Sequence, residues 1–127
     1  MIKQLGPFNS GAAVGENGVA TINADSGIPV QGEIIGVYVK YNDNPPAGTT
    51  DVLITTKGSN APAETVLAIA DAATSGWFYP LSPVHLKTTG AAIANEYRRL
   101  AVSDYLNIKI DQANAGDNID VWVTVED

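Results

Sequence analysis

The stretch Gln-Gly-Glu-Ile-Ile-Gly-Val-Tyr-Val-Lys-Tyr, residues 31–41, decides the fold class of this chain. Apolar residues occupy every second position from Ile35 to Tyr41, with Tyr38 and Lys40 among the residues between them. Because successive side chains of a strand point to opposite faces, this alternation predicts a β-strand with one row toward a core and a wetter row outward. Eleven residues would span about 36 Å, which is long for a strand and predicts a central place in its sheet.

Alternating segments recur along the chain between turns that are rich in glycine, proline and asparagine. The segment 64–69 has two interpretations, because Pro62 followed by Glu64 resembles a helix start whereas the neighbouring segments are strands; we favour a strand. The segments 105–111 and 119–126 alternate most clearly and are predicted to form a hairpin. Further strands are predicted at 18–23, 50–57, 84–86 and 100–102.

This spacing predicts an all-β chain, an antiparallel β-sandwich or jelly roll of about seven to eight strands. Residues 18–127 are expected to form a single domain of this kind. Residues 1–17 are polar and glycine-rich, which indicates an N-terminal arm, either loosely docked or clasping another subunit. The last strand is an aggregation hazard unless it is central or covered, because an open edge pairs readily with other chains.

The chain is acidic and sparsely charged. Its 127 residues are enough for one hydrophobic core. The net charge of −7 opposes non-specific binding to nucleic acid, which depends on cations meeting phosphates. Only 17% of the residues are charged, which indicates that neighbouring molecules cover part of the outer surface. The absence of cysteine excludes disulfides, thiolate metal sites and a cysteine nucleophile.

Membrane and export signals are not recognisable in the sequence. The first seven residues lack an apolar segment of signal-peptide length. No run of apolar residues approaches the about 18 that are needed to span a bilayer. We therefore expect a protein that is made in the cytoplasm and stays soluble until it meets a partner.

A catalytic set has little support in the residues. His85 is the only histidine, and a Ser-His-Asp arrangement would have to use Ser82 or Ser103 as the nucleophile. Neither serine lies in a Gly-x-Ser-x-Gly elbow, so a structural or solvent-facing histidine is the favoured interpretation. A single histidine also argues against a histidine-rich zinc site. We expect no enzymatic activity and no cofactor.

Two groups of oxygen-bearing side chains are candidate calcium ligands, since calcium prefers six to eight oxygens. The first group lies in the loop after the long strand and the second lies around the turn before the last strand. Neither matches the spacing of an EF-hand loop, so solvated turn residues are the favoured interpretation and no metal is expected. The groups are Asn42, Asp43, Asn44 and Asp51, and Asp111, Asp117, Asn118 and Asp120.

Aromatic and arginine residues are the candidate interface residues. Aromatic side chains bury large areas and are enriched at protein interfaces, although they also serve as stacking platforms for sugars. Trp122 shares the polar row of its strand with Asp120 and Thr124, which indicates an outward tryptophan that contacts a partner. The basic doublet is either a solvated pair or a docking point for an acidic surface. The candidates are Trp77, Phe78, Tyr79, Arg98, Arg99 and Trp122.

Four segments carry a resemblance to a known family. They are GEIIGVYVKY at 32–41, TDVLI at 50–54, GWFYP at 76–80 and DYLNIKI at 104–110. In this order they resemble small virion proteins encoded among the structural genes of tailed bacteriophages, of the head-decoration, or cement, type. The resemblance covers residues 28–125 and consists of strand signatures, not of a catalytic fingerprint.

The resemblance implies a small β-sandwich protein, typically a homotrimer, that clamps neighbouring major capsid protein subunits from outside the shell of the virion. It implies no catalytic residue. The N-terminal arm and the loops 42–50 and 88–99 are expected to reach the capsid or adjacent trimers. An accessory tail protein or a head-fibre base protein fits equally well. The residues alone also leave open a carbohydrate-binding host-adhesion module and a small hydrolase.

Overall fold

A computed structural model describes residues 1–42, 47–72 and 74–127. This part of the chain is all-β, with antiparallel pairing throughout and no helix. The strands are β1 Ile2–Asn9, β2 Ala20–Asp25, β3 Val30–Tyr41, β4 Asp51–Thr56, β5 Thr65–Ile69, β6 Gly76–Phe78, β7 Leu81–His85, β8 Ala92–Arg99, β9 Ala101–Asp104, β10 Leu106–Ala113 and β11 Ile119–Glu126. The strand predicted at 64–69 is therefore confirmed as β5.

Sheet A contains the long strand from which the fold was predicted. Its order is β1-β11-β3-β6, and β9 also pairs with β3. The first part of β3 pairs with β9 and the later part pairs with β6, while β11 runs along the other side. Strand β3 is therefore central, as its length predicted, and β11 is protected between β1 and β3.

Sheet B has the order β2-β10-β4-β5. The buried rows of the two sheets form one hydrophobic core, to which both β10 and β11 contribute fully buried side chains. The hairpin predicted from 105–111 and 119–126 is wrong, because β10 pairs with β2 and β4 whereas β11 pairs with β1 and β3. The turn between them crosses from one sheet to the other. Alternation gives the same pattern for a hairpin and for strands that bury their apolar rows against each other.

A bulge changes which residues of β3 are buried. Val37, Val39 and Tyr41 face the core as predicted, but Ile34 is fully buried and Ile35 is only partly so. The register of β3 against β11 shifts here, since Thr124 lies opposite Gly36 while the next residue lies opposite Ile34. A bulge inserts one extra residue and reverses the alternation beyond it, which explains the difference.

The N-terminal segment differs from the expected arm. Residues 2–9 form β1, which pairs with β11 along sheet A. Phe8 from this strand is buried in the core. Beyond it, the backbone N–H of Ala13 donates to the carbonyl oxygen of Asp117 at 2.8 Å. The polar, glycine-rich composition of 1–17 therefore belongs to an edge strand and a docked loop.

Strands β7 and β8 form a separate two-stranded sheet. The loop expected at 88–99 is wrong for most of its length, because β8 occupies Ala92–Arg99 and pairs with β7. Together the described residues form eleven strands in three sheets rather than seven or eight strands. The extra strands are short or exposed: β6 has only three residues and β8 has no buried residue, so neither shows an alternating apolar row that would predict it.

Two ionised carboxylates, those of Asp25 and Asp104, make the contacts that hold one end of the two facing sheets together. The Asn107 amide and the Lys57 ammonium lie 3.1 and 3.0 Å from Asp25, and their hydrogen bonds lower the pKa of that carboxyl below its usual value. Hydrogen bonds from Ser59 and from the N–H of Gly58 likewise lower the pKa of Asp104. These contacts hold the turn after β4 against sheets A and B.

Gly32 lies at a close contact within sheet A, and replacing it tests that packing. It has φ +124°, and a Cβ there would lie 2.6 Å from the carbonyl oxygen of Glu126. We expect Gly32→Ala to lower the free energy of unfolding by about 3 kcal/mol, because backbone strain adds to a collision with backbone. Gly116 is the control, since it has φ +87° and open space around it. Gly116→Ala should cost about 1 kcal/mol in urea unfolding. Equal losses would contradict the packing argument.

Candidate functional site

Three aromatic rings meet on the outer face of sheet A. Tyr38 lies opposite Trp122 of β11 on one side and opposite Trp77 of β6 on the other. Tyr38 and Trp122 alternate with buried valines, and Trp77 precedes Phe78, which packs against the core, so all three side chains point away from the core. The ring of Tyr38 lies 5.2 Å from the ring of Trp77 and 5.8 Å from that of Trp122, each tilted by 59°. Such tilted pairs are favourable aromatic contacts.

The three rings border an open hollow of about 440 Å³, together with Gln4 from β1. Among the residues that the structure describes, no charged side chain lines it. Trp77 is 46% exposed, whereas Tyr38 and Trp122 are partly buried. We call Gln4, Tyr38, Trp77 and Trp122 the aromatic hollow. Its residues offer a large apolar area, with the amide of Gln4, the hydroxyl of Tyr38 and two indole N–H groups as their polar groups.

Tyr79 extends this aromatic area toward the β7–β8 hairpin. Its ring lies over Gly36, where a Cβ would come within 3.2 Å of the ring. Glycine at this position of β3 therefore lets the ring pack onto the strand, and Tyr79 nevertheless stays 65% exposed. Phe78 differs from its neighbours, because it alternates with Trp77 and packs against the hydrophobic core. Of the predicted aromatic candidates, Trp77, Tyr79 and Trp122 thus belong to the outer surface.

The β7–β8 hairpin, Leu81 to Arg99, is the second candidate surface. Within the described part of the chain its strands pair only with each other, and none of the residues 81–99 is buried. Leu81, Leu86 and Tyr97 are 57%, 46% and 60% exposed. An isolated two-stranded hairpin is marginally stable in water, so further contacts are needed to hold it in one position.

The arginine doublet lies at the base of this hairpin. Arg99 contacts Glu126 at 3.1 Å, and Arg98 approaches Glu33 at 4.0 Å. All four side chains are well exposed, so the two ion pairs contribute little to stability. Both pairs instead join the base of the hairpin to the strands of sheet A. The doublet expected to be solvated or to dock on a partner therefore engages carboxylates of its own chain.

The described residues assemble neither the catalytic set around a histidine nor the metal site that were considered from the sequence. His85 lies exposed on β7, and Ser103 lies on β9 beside β3. Within residues 1–42, 47–72 and 74–127, the imidazole of His85 forms no hydrogen bond, and the backbone of His85 pairs with Ala92 of β8. The same residues contain no group of three or more acidic or histidine side chains placed to hold a metal ion.

In the two candidate calcium clusters, the described side chains either lie apart from one another or already make contacts that hold the fold together. Asp43 and Asn44 of the first cluster lie outside the described residues. In the second cluster, Asp117 accepts a hydrogen bond from the N–H of Asn114 at 3.0 Å and so closes its own turn. Asp111 lies opposite Asp51 near the amine of Lys109, at a small hollow of about 180 Å³. A lysine at this position opposes cation binding.

Sequence reasoning did not single out Tyr38, Gln4 or the hairpin. Tyr38 was assigned to the outer row of β3, which is where it lies, but its neighbours across the sheet depend on strand order. Trp77 and Trp122 are 45 positions apart in sequence and meet only because β6 and β11 flank the same strand. Alternation together with the correct strand order would have predicted that the three rings lie side by side.

Trp122 and Val123 provide a matched test of the outer surface. Val123 is fully buried, so Val123→Ala should lower the free energy of unfolding by about 2–3 kcal/mol. Trp122→Ala should lower it by only about 1 kcal/mol, because this side chain faces outward and loses chiefly its contact with the ring of Tyr38. Urea unfolding of the two variants measures both values. The opposite pattern would place Trp122 in the core.

Comparison with known proteins adds no identification. The chain matches no protein-family model, no curated protein and no solved structure. The described part of the chain also lacks an apolar helix of bilayer-spanning length. The resemblance to phage decoration proteins therefore stays an expectation, and the geometry of the aromatic hollow and of the β7–β8 hairpin carries the functional argument.

Proposed function

We propose that this chain is a structural virion protein, a capsid decoration (cement) protein of a tailed bacteriophage. As a homotrimer it binds the outer surface of the major capsid protein lattice and stabilises it. The observation that carries the proposal is the apolar surface that the fold leaves open. The aromatic hollow, Tyr79 and the β7–β8 hairpin expose large apolar side chains, since Trp77, Tyr79, Leu81, Leu86 and Tyr97 are each at least 46% exposed.

The aromatic area has the composition of a protein interface. Tryptophan, tyrosine and arginine are enriched at such interfaces, and tryptophan and tyrosine in particular dominate binding energies. Trp77 and Tyr79 remain 46% and 65% exposed in the isolated chain, although aromatic side chains of this size gain most from burial. A partner that covers them would bury this area together with the face of sheet A.

A decoration protein gains from being held in several places. Each subunit of a trimer carries its own copy of the surface, so that weak contacts to several capsid subunits add up to tight binding through high effective concentration. The proposal gives no side chain a catalytic role. It also treats the two facing sheets as a jelly-roll-like β-sandwich, in which sheet A presents the binding face.

The proposal is tested by mixing the purified protein with expanded phage shells that lack a decoration protein. The protein alone should elute as a trimer in light scattering, three times 13.3 kDa or about 40 kDa. It should co-sediment with the shells and appear at regular lattice positions by electron microscopy. Binding at a tail or at a fibre base would instead support the accessory-protein alternative, and a monomer that ignores shells would contradict the proposal.

A pair of variants locates the binding surface in the same experiment. Trp77→Ala combined with Tyr79→Ala should reduce co-sedimentation with shells at least about tenfold, because both aromatic anchors are lost. Leu53→Ala is the control, since Leu53 is a 37% exposed apolar side chain on sheet B. It should bind shells like the unaltered protein.

A second candidate function is carbohydrate binding in host adhesion, and the aromatic hollow favours it. Sugars present apolar C–H faces and hydroxyl groups, which suit exposed rings beside an amide. The hollow of about 440 Å³ has an uncharged lining, so its ligand would be a neutral glycan.

Glycan-array binding and tryptophan fluorescence test this second candidate. A neutral oligosaccharide that binds should quench the fluorescence of Trp77 and Trp122, because both rings line the hollow. Trp77→Ala should abolish binding, and Gln4→Ala should weaken it by about fivefold through the lost hydrogen bond. The Leu53→Ala variant again serves as the control. Absence of binding to any neutral glycan would dismiss the candidate.

A further inference from the structure

The loop between β1 and β2 carries a chemically labile dipeptide. Asn17 and Gly18 form the only Asn-Gly sequence among the 127 residues. In such a pair the backbone nitrogen of the glycine can attack the side-chain amide carbon of the asparagine. Glycine favours the attack, because it has no side chain to hinder its own nitrogen. Asparagine is accordingly among the thermolabile residues of proteins.

A tight turn presents this dipeptide at the surface. The N–H of Val19 donates to the carbonyl oxygen of Glu16 at 3.1 Å, so Asn17 and Gly18 are the two central residues of the turn. Gly18 has φ +88° whereas Asn17 has an ordinary negative φ, which is the pattern of a type II turn. The side chain of Asn17 is exposed. Water, which the reaction consumes, therefore reaches its amide.

Both groups that would react are hydrogen-bonded in the folded chain. The N–H of Gly18, whose nitrogen is the nucleophile, donates to the carbonyl oxygen of Ala113 at 2.9 Å. The side-chain oxygen of Asn17 accepts from the N–H of Ala115 at 3.1 Å. The nitrogen must lose its proton before it attacks, and a hydrogen-bonded N–H gives up its proton only when the structure opens locally. The two bonds therefore oppose the reaction.

These bonds belong to a larger connection between residues 10–19 and the turn 113–119. Both segments run between sheets A and B, the first from β1 to β2 and the second from β10 to β11. The N–H of Ala13 donates to the carbonyl oxygen of Asp117, and the N–H of Gly116 donates to that of Ala13, each at 2.8 Å. The labile dipeptide thus contributes two of the contacts that hold the loop closed.

Little apolar burial supports this connection. Among residues 11–19 only Ala13 is buried, while Val14 and Val19 are 71% and 63% exposed. Hydrogen bonds near water contribute modestly to stability, because water competes for the same groups. Segments with few buried apolar contacts open locally far more often than the whole protein unfolds. The loop is therefore expected to open while the core stays folded.

We infer that Asn17 is a site of spontaneous deamidation, and that its rate is set by the opening of residues 10–19 from the turn 113–119. In the open form the nitrogen of Gly18 bonds to the side-chain carbonyl carbon of Asn17, and the amide nitrogen leaves as ammonia with the proton that Gly18 gives up. Water then opens the cyclic imide to aspartate or isoaspartate. Water is the only co-reactant, and no electrons are transferred.

The reaction converts a reversible opening into a permanent mark. The nitrogen of Gly18 carries no hydrogen in the imide, so it cannot donate to Ala113. Isoaspartate places an extra carbon in the backbone of the turn, and either product changes the net charge of the chain from −7 to −8. The modified loop should therefore close less well than the original one. This property depends on the fold and not on the proposed capsid role.

Peptide mapping by mass spectrometry tests the inference on the full chain. In protein unfolded with guanidinium chloride, Asn17 should convert fastest of all asparagines. In the folded protein it should convert at least about tenfold more slowly. Hydrogen exchange of the Gly18 N–H should be slowed by the same factor to within about threefold, because one opening exposes both groups. Equal rates in folded and unfolded protein, or no conversion of Asn17 when unfolded, would overturn the inference.

Ala115→Pro removes one of the protecting bonds while keeping the neighbouring turn. The N–H of Asp117 donates to the carbonyl oxygen of Asn114, and Gly116 has φ +87°, so Ala115 is the second residue of a type II turn. Proline is common at that position, and it lacks the N–H that Asn17 accepts. Deamidation should accelerate about fivefold in the folded protein and stay unchanged in the unfolded protein. An unaltered rate in the folded variant would contradict control by this contact.

Two comparisons identify the reacting residue. In Asn17→Gln the same attack would have to close a larger ring, so the mapped peptide should keep its amide. Asn60 is exposed like Asn17 but is followed by Ala61, whose side chain hinders the nitrogen. In the unfolded protein Asn60 should convert more slowly than Asn17. Faster conversion of Asn60, or an amide lost equally fast from the glutamine variant, would remove the assignment to Asn17.

Discussion

The burial of two apolar rows between facing sheets is the interaction on which the structure depends. Leu106, Ile108 and Ile110 of β10 and Val121 and Val123 of β11 are almost fully buried in one core. Each buried side chain of this kind contributes about 1.5–3 kcal/mol. Because β10 and β11 lie in the middle of their sheets, every other strand of the body is held directly or indirectly by these rows. The outer faces are then free to carry function.

Much of the fold could be predicted from alternation, and the failures have physical causes. Burial on one face produces a period of two, so the long strand, β5, β10 and β11 were found. An alternation of period two does not say which strand lies beside which. The connection from β10 to β11, which passes from one sheet to the other, was therefore predicted to be a hairpin. The alternation is also reversed by the bulge in β3, which is why Ile34 is buried where Ile35 was predicted to be. Residues of 1–17 look like an arm because an edge strand with one open side needs few apolar residues.

The candidate surface was predictable residue by residue but not as an arrangement. Trp122 could be placed outward from its neighbours Asp120 and Thr124, since they share one face of β11. Its contact with Tyr38, and that of Tyr38 with Trp77, require knowledge of which strands flank β3. The β7–β8 hairpin was hard to predict, because a strand pair without a buried face has no alternating apolar row.

The position of β11 between β1 and β3 has a consequence for the kinetics of folding. Ile2 pairs with Glu126, so closing this edge of sheet A brings together segments separated by nearly the whole chain. Proteins dominated by such distant pairings fold in milliseconds to seconds, far more slowly than helical bundles. Until the last strand arrives, β1 and one side of β3 lack their hydrogen-bonding neighbour. During that interval the nascent polypeptide exposes unpaired strands to its neighbours, and a holding chaperone would favour the productive route.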